Sequence, residues 1–388
     1  MKPVSAILTA EESLRAYCEA VDFMGWDPWD ALGSPLFRVF PFNLRLPRWA
    51  GNHFIKIAPI NVRPWLGIKR DCFAKGLALF LAGYVLREKY SPDPRNRQFI
   101  AKLRQRLMDK TIPGFAGPCW GTNLAYQTRA FYVPAQTPSL VHTAFAVEAI
   151  LDLYDLEASA ELAETAVGAC RFALSDLNIR QIGEGLCFSY TPGDRSRVIN
   201  VTALAARMLA RTGRVVGDDE LISKARQAAL YVISQQRPDG SWFYGEDPIH
   251  RWIDNYHTGF ILEALEDYME HAGDRNLSDA VQKGAEFYRK RLFEEDGIPR
   301  FSPNSLFPID GHCLAQGILT FARLKEHDPE YLSFAQKIAV WGAQYFQHQQ
   351  GYFYYQKRRL WFNRIPYIRW VQAWMFLALN RLLSLTNG

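Results

Sequence analysis

The densest chemistry in the chain lies at 251–259, R-W-I-D-N-Y-H-T-G, where Arg251, Asp254, Asn255, Tyr256 and His257 fall within seven positions. Ordinary packing needs no such concentration of donors, acceptors and titratable groups. A carboxylate, a phenol and an imidazole in one turn can share general acid/base work. Asp310 heads a comparable segment. Paired across a cleft, Asp254 and Asp310 would suit glycoside hydrolysis, in which two carboxyl groups flank the scissile bond. Asp194 stands in reserve, and each of these Asp residues equally suits a helix N-cap. Were the substrate a uronic acid, Arg251, Arg129 or Arg369 would neutralise its carboxylate while a Tyr or His removed the C5 proton, as in a lyase or epimerase. The residues leave both kinds of reaction open.

Other polar and aromatic side chains recur in matching contexts. Trp120, Asn123 and Gln127 precede one apolar stretch and His142 begins it; Tyr190 precedes another and Asn200 begins it. Trp242 and Tyr244 precede the 251–259 segment, His312 follows Asp310, and Tyr367, Arg369 and Trp370 open the last stretch. Flat rings beside carboxylates, amides and guanidinium groups match a sugar, whose C–H faces stack on aromatics while its hydroxyls need polar partners. Aromatics make up 14% of the 388 residues, more than a core requires.

What must position these groups is an internal repeat. Six apolar segments at helical spacing begin at Asp71, Ser139, Val198, Asn255, Asp310 and Ile368, with starts 68, 59, 57, 55 and 58 residues apart. Between them lie amphipathic segments near 96–110, 160–177, 219–236, 276–292 and 330–348, and a further helix is expected at about 11–24. Six apolar helices alternating with six more polar ones predict an all-α (α/α)6 toroid or barrel of inner and outer helices. The outer-to-inner linkers repeat a Gly-plus-aromatic turn at Gly117, Gly185, Asp239-Gly240, Asp296-Gly297 and Gln350-Gly351. These read as short β-hairpins that gather at one end, beside the inner-helix N-termini, whose dipoles favour anionic or hydroxyl-rich ligands.

Residues 1–70 read as an N-terminal helix and an irregular, basic, aromatic arm packed on the toroid of 71–388, the whole forming one structural domain. From 31 to 70 there is no Asp or Glu, against seven cations (Arg38, Arg45, Arg48, Lys56, Arg63, Lys69, Arg70) and five prolines. Such a stretch suits contact with an anionic glycan or peripheral contact with an anionic inner-membrane face, although solvated cations and rings packed on the helices account for it equally well. The overall charge of +5 is too mild to imply nucleic acid, and no nucleic-acid motif accompanies it. Six scattered cysteines, without C-x-x-C spacing, predict neither a metal nor a redox centre, and no cofactor is expected. No apolar run approaches membrane-span length and no signal sequence is visible, which predicts a cytoplasmic protein.

The runs G-W-D-P-W-D-A-L-G-S (25–34), W-G-T-N-L-A-Y-Q-T-R (120–129), P-S-L-V-H-T-A-F (138–145), S-Y-T-P-G-D (189–194), D-N-Y-H-T-G-F (254–260) and I-P-Y-I-R-W-V-Q-A-W (365–374) resemble the VpsJ-like family of polysaccharide biosynthesis proteins from bacterial exopolysaccharide clusters. More distantly the chain is similar to six-hairpin glycosidases, helical-barrel polysaccharide lyases and uronyl epimerases. The resemblance implies an α/α toroid acting on an oligo- or polysaccharide, including a lipid-linked oligosaccharide, during exopolysaccharide assembly. A non-catalytic glycan-binding or scaffold role is the alternative. The run Tyr231-VISQQRPDGSW is similar to a terpene-cyclase repeat, but the acidic D-x-D-D motif is absent, which ranks a terpenoid role third.

Overall fold

The computed structural model describes residues 3–127 and 132–386. Six inner helices run parallel around a ring: α3 (Ala74–Tyr90), α5 (Leu140–Glu157), α7 (Ile199–Val216), α9 (Asn255–Ala272), α11 (Gly311–Arg323) and α13 (Ala373–Thr386), the last entered through a π-helical turn at Ile368–Gln372. Each packs on the next, and α13 returns to α3. The outer layer comprises α1 (Pro3–Ala20), α4 (Pro94–Met108), α6 (Ala160–Ser175), α8 (Asp219–Ser234), α10 (Ser278–Leu292) and α12 (Glu330–Tyr345), with α1 covering α12 and α13. This is an (α/α)6 toroid.

The layers follow from composition. Inner helices are mostly apolar and buried over all but their last turn, as α3 and α5 show, whereas outer helices bury one stripe and leave their charges in water. Small residues let the inner ring draw tight: a Cβ at Gly83 would lie 2.6 Å from the Phe376 ring, and one at Gly259 2.6 Å from the Gln316 side chain. At the C-terminal ends of the inner helices, buried ion pairs tie neighbours together. Arg207 of α7 reaches Glu148 of α5 at 3.2 Å and Asp267 of α9 at 2.7 Å, and Arg211 meets Glu148, Asp152 and Asp155, each at 2.8 Å.

The N-terminal ends carry the loops. Antiparallel pairs join β1 (Gly121–Thr122) to β4 (Thr137–Pro138), β2 (Tyr126–Gln127) to β3 (Tyr132–Val133) and β5 (Ile179–Ile182) to β6 (Gly185–Phe188), while β7 (Ile309–Asp310), β8 (Gln356–Lys357) and β9 (Phe362–Asn363) form a three-stranded sheet. Of the five expected Gly-aromatic hairpins only the one at Gly185 is a ladder of four pairs; those at Gly240, Gly297 and Gly351 are tight turns. These three glycines have φ of +90°, +91° and +94°, a region that L side chains avoid.

Two helices differ from expectation. The first begins at Pro3 rather than near residue 11, because Ile7, Leu14 and Cys18 already form its buried stripe. The arm contains a regular helix, α2 (Arg45–Ile57). Pro47 lies in its first turn, where a missing N–H costs nothing. Ile55 of α2 joins Ala31, Phe37 and Ile68 in a small core of the arm's own. Arg63 turns inward, donating from Nε to both oxygens of Asp30 at 2.7 and 2.9 Å.

Candidate functional site

At the N-terminal end of the inner ring lies a cavity of about 320 Å³. Its walls take Asp27 and Trp29 from the arm, Lys75 from α3, Tyr126 from β2, His142 from α5, Asn200 from α7, Tyr256, His257 and Phe260 from α9, His312 from α11, and Arg369 and Trp370 from the turn before α13. Tyr190, Tyr244, His250 and Trp252 close it from the loops. Two other grooves, of about 690 and 600 Å³, lie on the outer wall beside α4 and α6 and gather no comparable set of groups.

Three histidines differ in how the helix caps hold them. Ser139 caps α5 and its Oγ lies 2.7 Å from Nδ1 of His142, three residues on. Asp254 caps α9 in the same way: Oδ1 accepts from the His257 backbone N–H at 3.0 Å, and Oδ2 lies 2.7 Å from His257 Nδ1. Oδ2 also accepts from Trp252 Nε1 at 3.0 Å. A carboxylate on Nδ1 fixes the proton there and leaves Nε2 for a ligand. Asp310 caps α11 through the N–H of His312 at 2.8 Å, only two residues on, and its other oxygen accepts from Gln356 Nε2 at 2.6 Å. The His312 ring therefore escapes its cap. Neither of its nitrogens has a partner among the described residues, and it is sandwiched between Tyr256 (4.7 Å between centroids, 10° between planes) and Trp374 (4.6 Å, 27°). Burial, with lesser contributions from Lys75, His257 and Arg369, holds His312 well below the usual imidazole range. His142 is depressed likewise by burial, Lys75 and Arg369.

Lys75 is 5% exposed and makes no hydrogen bond or ion pair among the described residues. Its ammonium nitrogen sits 5.4 to 5.9 Å from the rings of Phe145, Phe260 and Trp374. Burial, reinforced by Arg369 and opposed by Asp27, pulls it well below the usual lysine range. Arg369 donates from Nε to Asp27 Oδ2 at 2.6 Å, while its two terminal nitrogens take no partner among the described residues. It can thus offer a fork to a carboxylate or carbonyl oxygen. Trp252 stacks on Tyr244 at 4.4 Å and 13°, giving a flat, half-open platform at the mouth.

Of the residues expected at the site, the cavity brings together His142, Tyr190, Asn200, Tyr244, Tyr256, His257, His312, Arg369 and Trp370. Asp254 and Asp310, expected to face one another, do not line it; both are helix caps, and burial raises Asp310 to about 6. Asn255 is a buried strut, donating to Leu292 O and accepting from Tyr288 OH, both at 3.0 Å. Asp194 is held by Thr191 and Ser196, Asn123 by Asp71, and buried Gln127 accepts at its carbonyl from Asn52. Arg251 points outward and donates to Glu246 O. Trp120, Trp242 and Tyr367 belong to the core: the two indole N–H groups donate to Leu107 O at 2.8 Å and Val232 O at 2.9 Å, and Tyr367 packs against Arg63 and Tyr355. Arg129 lies outside the described residues.

Sequence reasoning missed Asp27, Trp29, Lys75, Tyr126 and Trp252 as wall residues. Lys75 had a signal, being a cation in the first turn of an apolar inner-helix run. Among the described residues no three His, Cys, Asp or Glu side chains are grouped to hold a metal ion. As a chemical device the cavity offers two imidazoles touching Tyr256, a buried amine, an available guanidinium and aromatic platforms, with no pair of unengaged carboxylates.

No protein-family model and no curated protein matches the chain. Solved structures do match in fold. Cellobiose 2-epimerase from Bacillus thermoamylovorans B4167 aligns over 81% of this chain and 88% of its own, at 11% identity and a TM-score of 0.65. An unsaturated glucuronyl hydrolase specific for heparin aligns over 100% and 98%, at 11% identity and a TM-score of 0.64. The GH76 α-mannanase BT2949 from Bacteroides thetaiotaomicron aligns over 81% and 88%, at 12% identity and a TM-score of 0.63.

Proposed function

We propose that this chain is a saccharide-acting enzyme whose cavity moves a proton on a sugar carbon, the chemistry of an epimerase or isomerase. The observation that carries the proposal is the pair of unlike imidazoles against Tyr256: His257 backed by Asp254, and His312, whose nitrogens take no hydrogen-bond partner among the described residues. Removing a carbon-bound proton requires an unprotonated base, a group that returns the proton, and a donor or cation at the oxygen where charge develops. His312, His257 and Arg369 fill these roles, with Asp254 orienting His257. Hydrolysis is disfavoured because the carboxylates it would need are engaged, Asp27 with Arg369 and Asp254 with His257. At about 320 Å³ the cavity is at the small end of ligand pockets, roughly 300–1,000 Å³, which suits the end of a short saccharide. Trp252 on Tyr244, together with Trp370, would stack the ring. A place in exopolysaccharide assembly, with a free or lipid-linked oligosaccharide as substrate, rests on the motifs that resemble the VpsJ-like family.

The test is proton exchange. Reducing disaccharides and uronate-terminated oligosaccharides are incubated with the protein in heavy water and followed by NMR. Solvent deuterium should enter at a ring or carbonyl-adjacent carbon, with the rate reduced roughly 10²- to 10⁴-fold in His257→Ala and His312→Ala. Asp254→Asn keeps the cap but loses the charge on His257, and should lower kcat with little change in KM. New reducing ends without exchange would replace the proposal with hydrolysis; unchanged saccharide with retained binding would replace it with a binding role.

A further inference from the structure

Amphipathic helices of folded proteins turn their apolar side inward, and α2 does so only in part. Asn52 and Ile55 face in, while Leu46, Ala50, Phe54 and Ile57, one stripe at helical spacing, face solvent. The loops that flank α2 in sequence are apolar and exposed as well. Phe40 and Trp65 are each 78% exposed, Leu46 74%, Phe54 65% and Ile60 63%, with Val39 and Phe42 beside them in sequence. A second element is tied to this helix: Asn363 of β9 donates to the carbonyls of Lys56 and Ala58 at 3.2 and 2.9 Å, which fixes the β8–β9 hairpin against the end of α2. That hairpin's tip holds exposed Arg359, Leu360 and Trp361. Solitary exposed apolar residues need no explanation, but a grouped set marks an interaction surface.

The charge decides the partner. Residues 31–70 carry no carboxylate, and neither does the stretch 357–364, which adds Lys357, Arg358, Arg359 and Arg364. Lys56 and Arg63 turn inward, Lys56 over the Trp29 ring at 3.9 Å and Arg63 onto Asp30. Arg38, Lys69 and Arg70 remain on the surface. A second copy of the chain in a two-fold contact would set this cationic, carboxylate-free face against itself. An anionic bilayer is complementary in both respects, taking the rings and aliphatic side chains at the headgroup boundary and the cations at the phosphates.

We infer that α2, its flanking loops and the β8–β9 tip form a docking face for an anionic lipid surface. Because Lys56 of α2 rests on Trp29, a wall residue of the cavity, the bilayer would lie beside the cavity wall and present lipid-linked saccharide to it. The docking itself is independent of the reaction performed there.

The full chain is tested by flotation with vesicles of phosphatidylcholine mixed with phosphatidylglycerol, against pure phosphatidylcholine. Binding should require phosphatidylglycerol and weaken as salt rises. Replacing Arg38, Lys69 and Arg70 together by Ser should weaken it roughly a hundredfold, about fivefold for each charge from about 1 kcal/mol apiece. Leu46→Ser with Phe54→Ser should abolish it. Both variants alter exposed positions and should melt with the wild type. Absence of wild-type flotation on the mixed vesicles overturns the inference, as does undiminished binding in both variants. So does a wild-type dimer by light scattering that the Leu46→Ser, Phe54→Ser pair dissociates.

Discussion

Lys75 supports a prediction that links stability to chemistry. The side chain is 5% exposed, has no ionic or hydrogen-bonding partner among the described residues, and is held well below the ordinary lysine range, chiefly by burial. Between its folded value and the ordinary 10.5 the unfolded chain binds a proton that the folded chain does not. Stability in that window must therefore rise with pH, by up to about 1.4 kcal/mol per unit. Lys75→Met removes this dependence and replaces a costly amine with an apolar chain of similar length. The variant should melt higher at pH 7, and its advantage over the wild type should shrink as pH is raised to 9. While pH stays above the folded value, the change across that interval approaches about 2.7 kcal/mol. For 388 residues an unfolding entropy of about 2.1 cal/mol/K per residue converts this to about 3 °C of melting temperature. Buried cysteines and tyrosines also titrate, but equally in both proteins, so the difference curve isolates Lys75. Thermal melts at pH 7, 8 and 9 are sufficient. Parallel curves for the two proteins would mean that Lys75 stays charged in the fold, and the reasoning fails. If the amine serves the cavity, the same variant loses proton exchange while gaining stability, an outcome that a merely structural lysine would not give.

Trp242 is 1% exposed, so Trp242→Ala should cost about 3–5 kcal/mol in denaturant unfolding. Trp252, 42% exposed at the mouth, should when changed to Ala leave stability within about 1 kcal/mol and raise the saccharide Kd roughly tenfold, about 1.4 kcal/mol; reversed effects would move the platform elsewhere. Arg63→Met leaves Asp30 buried without its partner and should cost about 3–5 kcal/mol. Adding Asp30→Asn should recover most of that in thermal melts, and failure to recover would show that the guanidinium matters for its packing on Tyr367 rather than for its charge.

The toroid was legible because each inner helix is a mainly apolar stretch recurring at a nearly fixed interval, and the end that bears the cavity follows from where the linkers enter. Residues within the first turn of an inner helix, such as His142, Asn200, Tyr256, His257 and His312, were legible for the same reason: once the helix is fixed, so is the side chain's height in the ring. Loop aromatics were not. Trp242 follows the same turn as Tyr244, and Trp120 one of the same kind, yet their indole N–H groups find carbonyls at the ends of α4 and α8 and the rings go between the layers. That choice depends on a carbonyl far from the motif's own backbone. The helix α2 was masked by prolines at its flanks and first turn, and the wall residues Asp27 and Trp29 by lying more than 300 residues from Arg369 and Trp370 in sequence.

The carboxylates singled out by sequence and the histidines beside them form one device. A cap residue three positions before a histidine binds both that residue's backbone N–H and its Nδ1, as Ser139 does for His142 and Asp254 for His257. Shortening the interval by one residue, from Asp310 to His312, keeps the backbone bond and frees the ring. One helix-capping rule, applied at spacings of three and two, thus gives a carboxylate-backed imidazole on α9 and an unpartnered one on α11, both against Tyr256. A site that both removes and returns a proton needs two titratable groups in contrasting environments. The aspartates matter here as the groups that make the two imidazoles unlike, which is why neither has to reach the cavity.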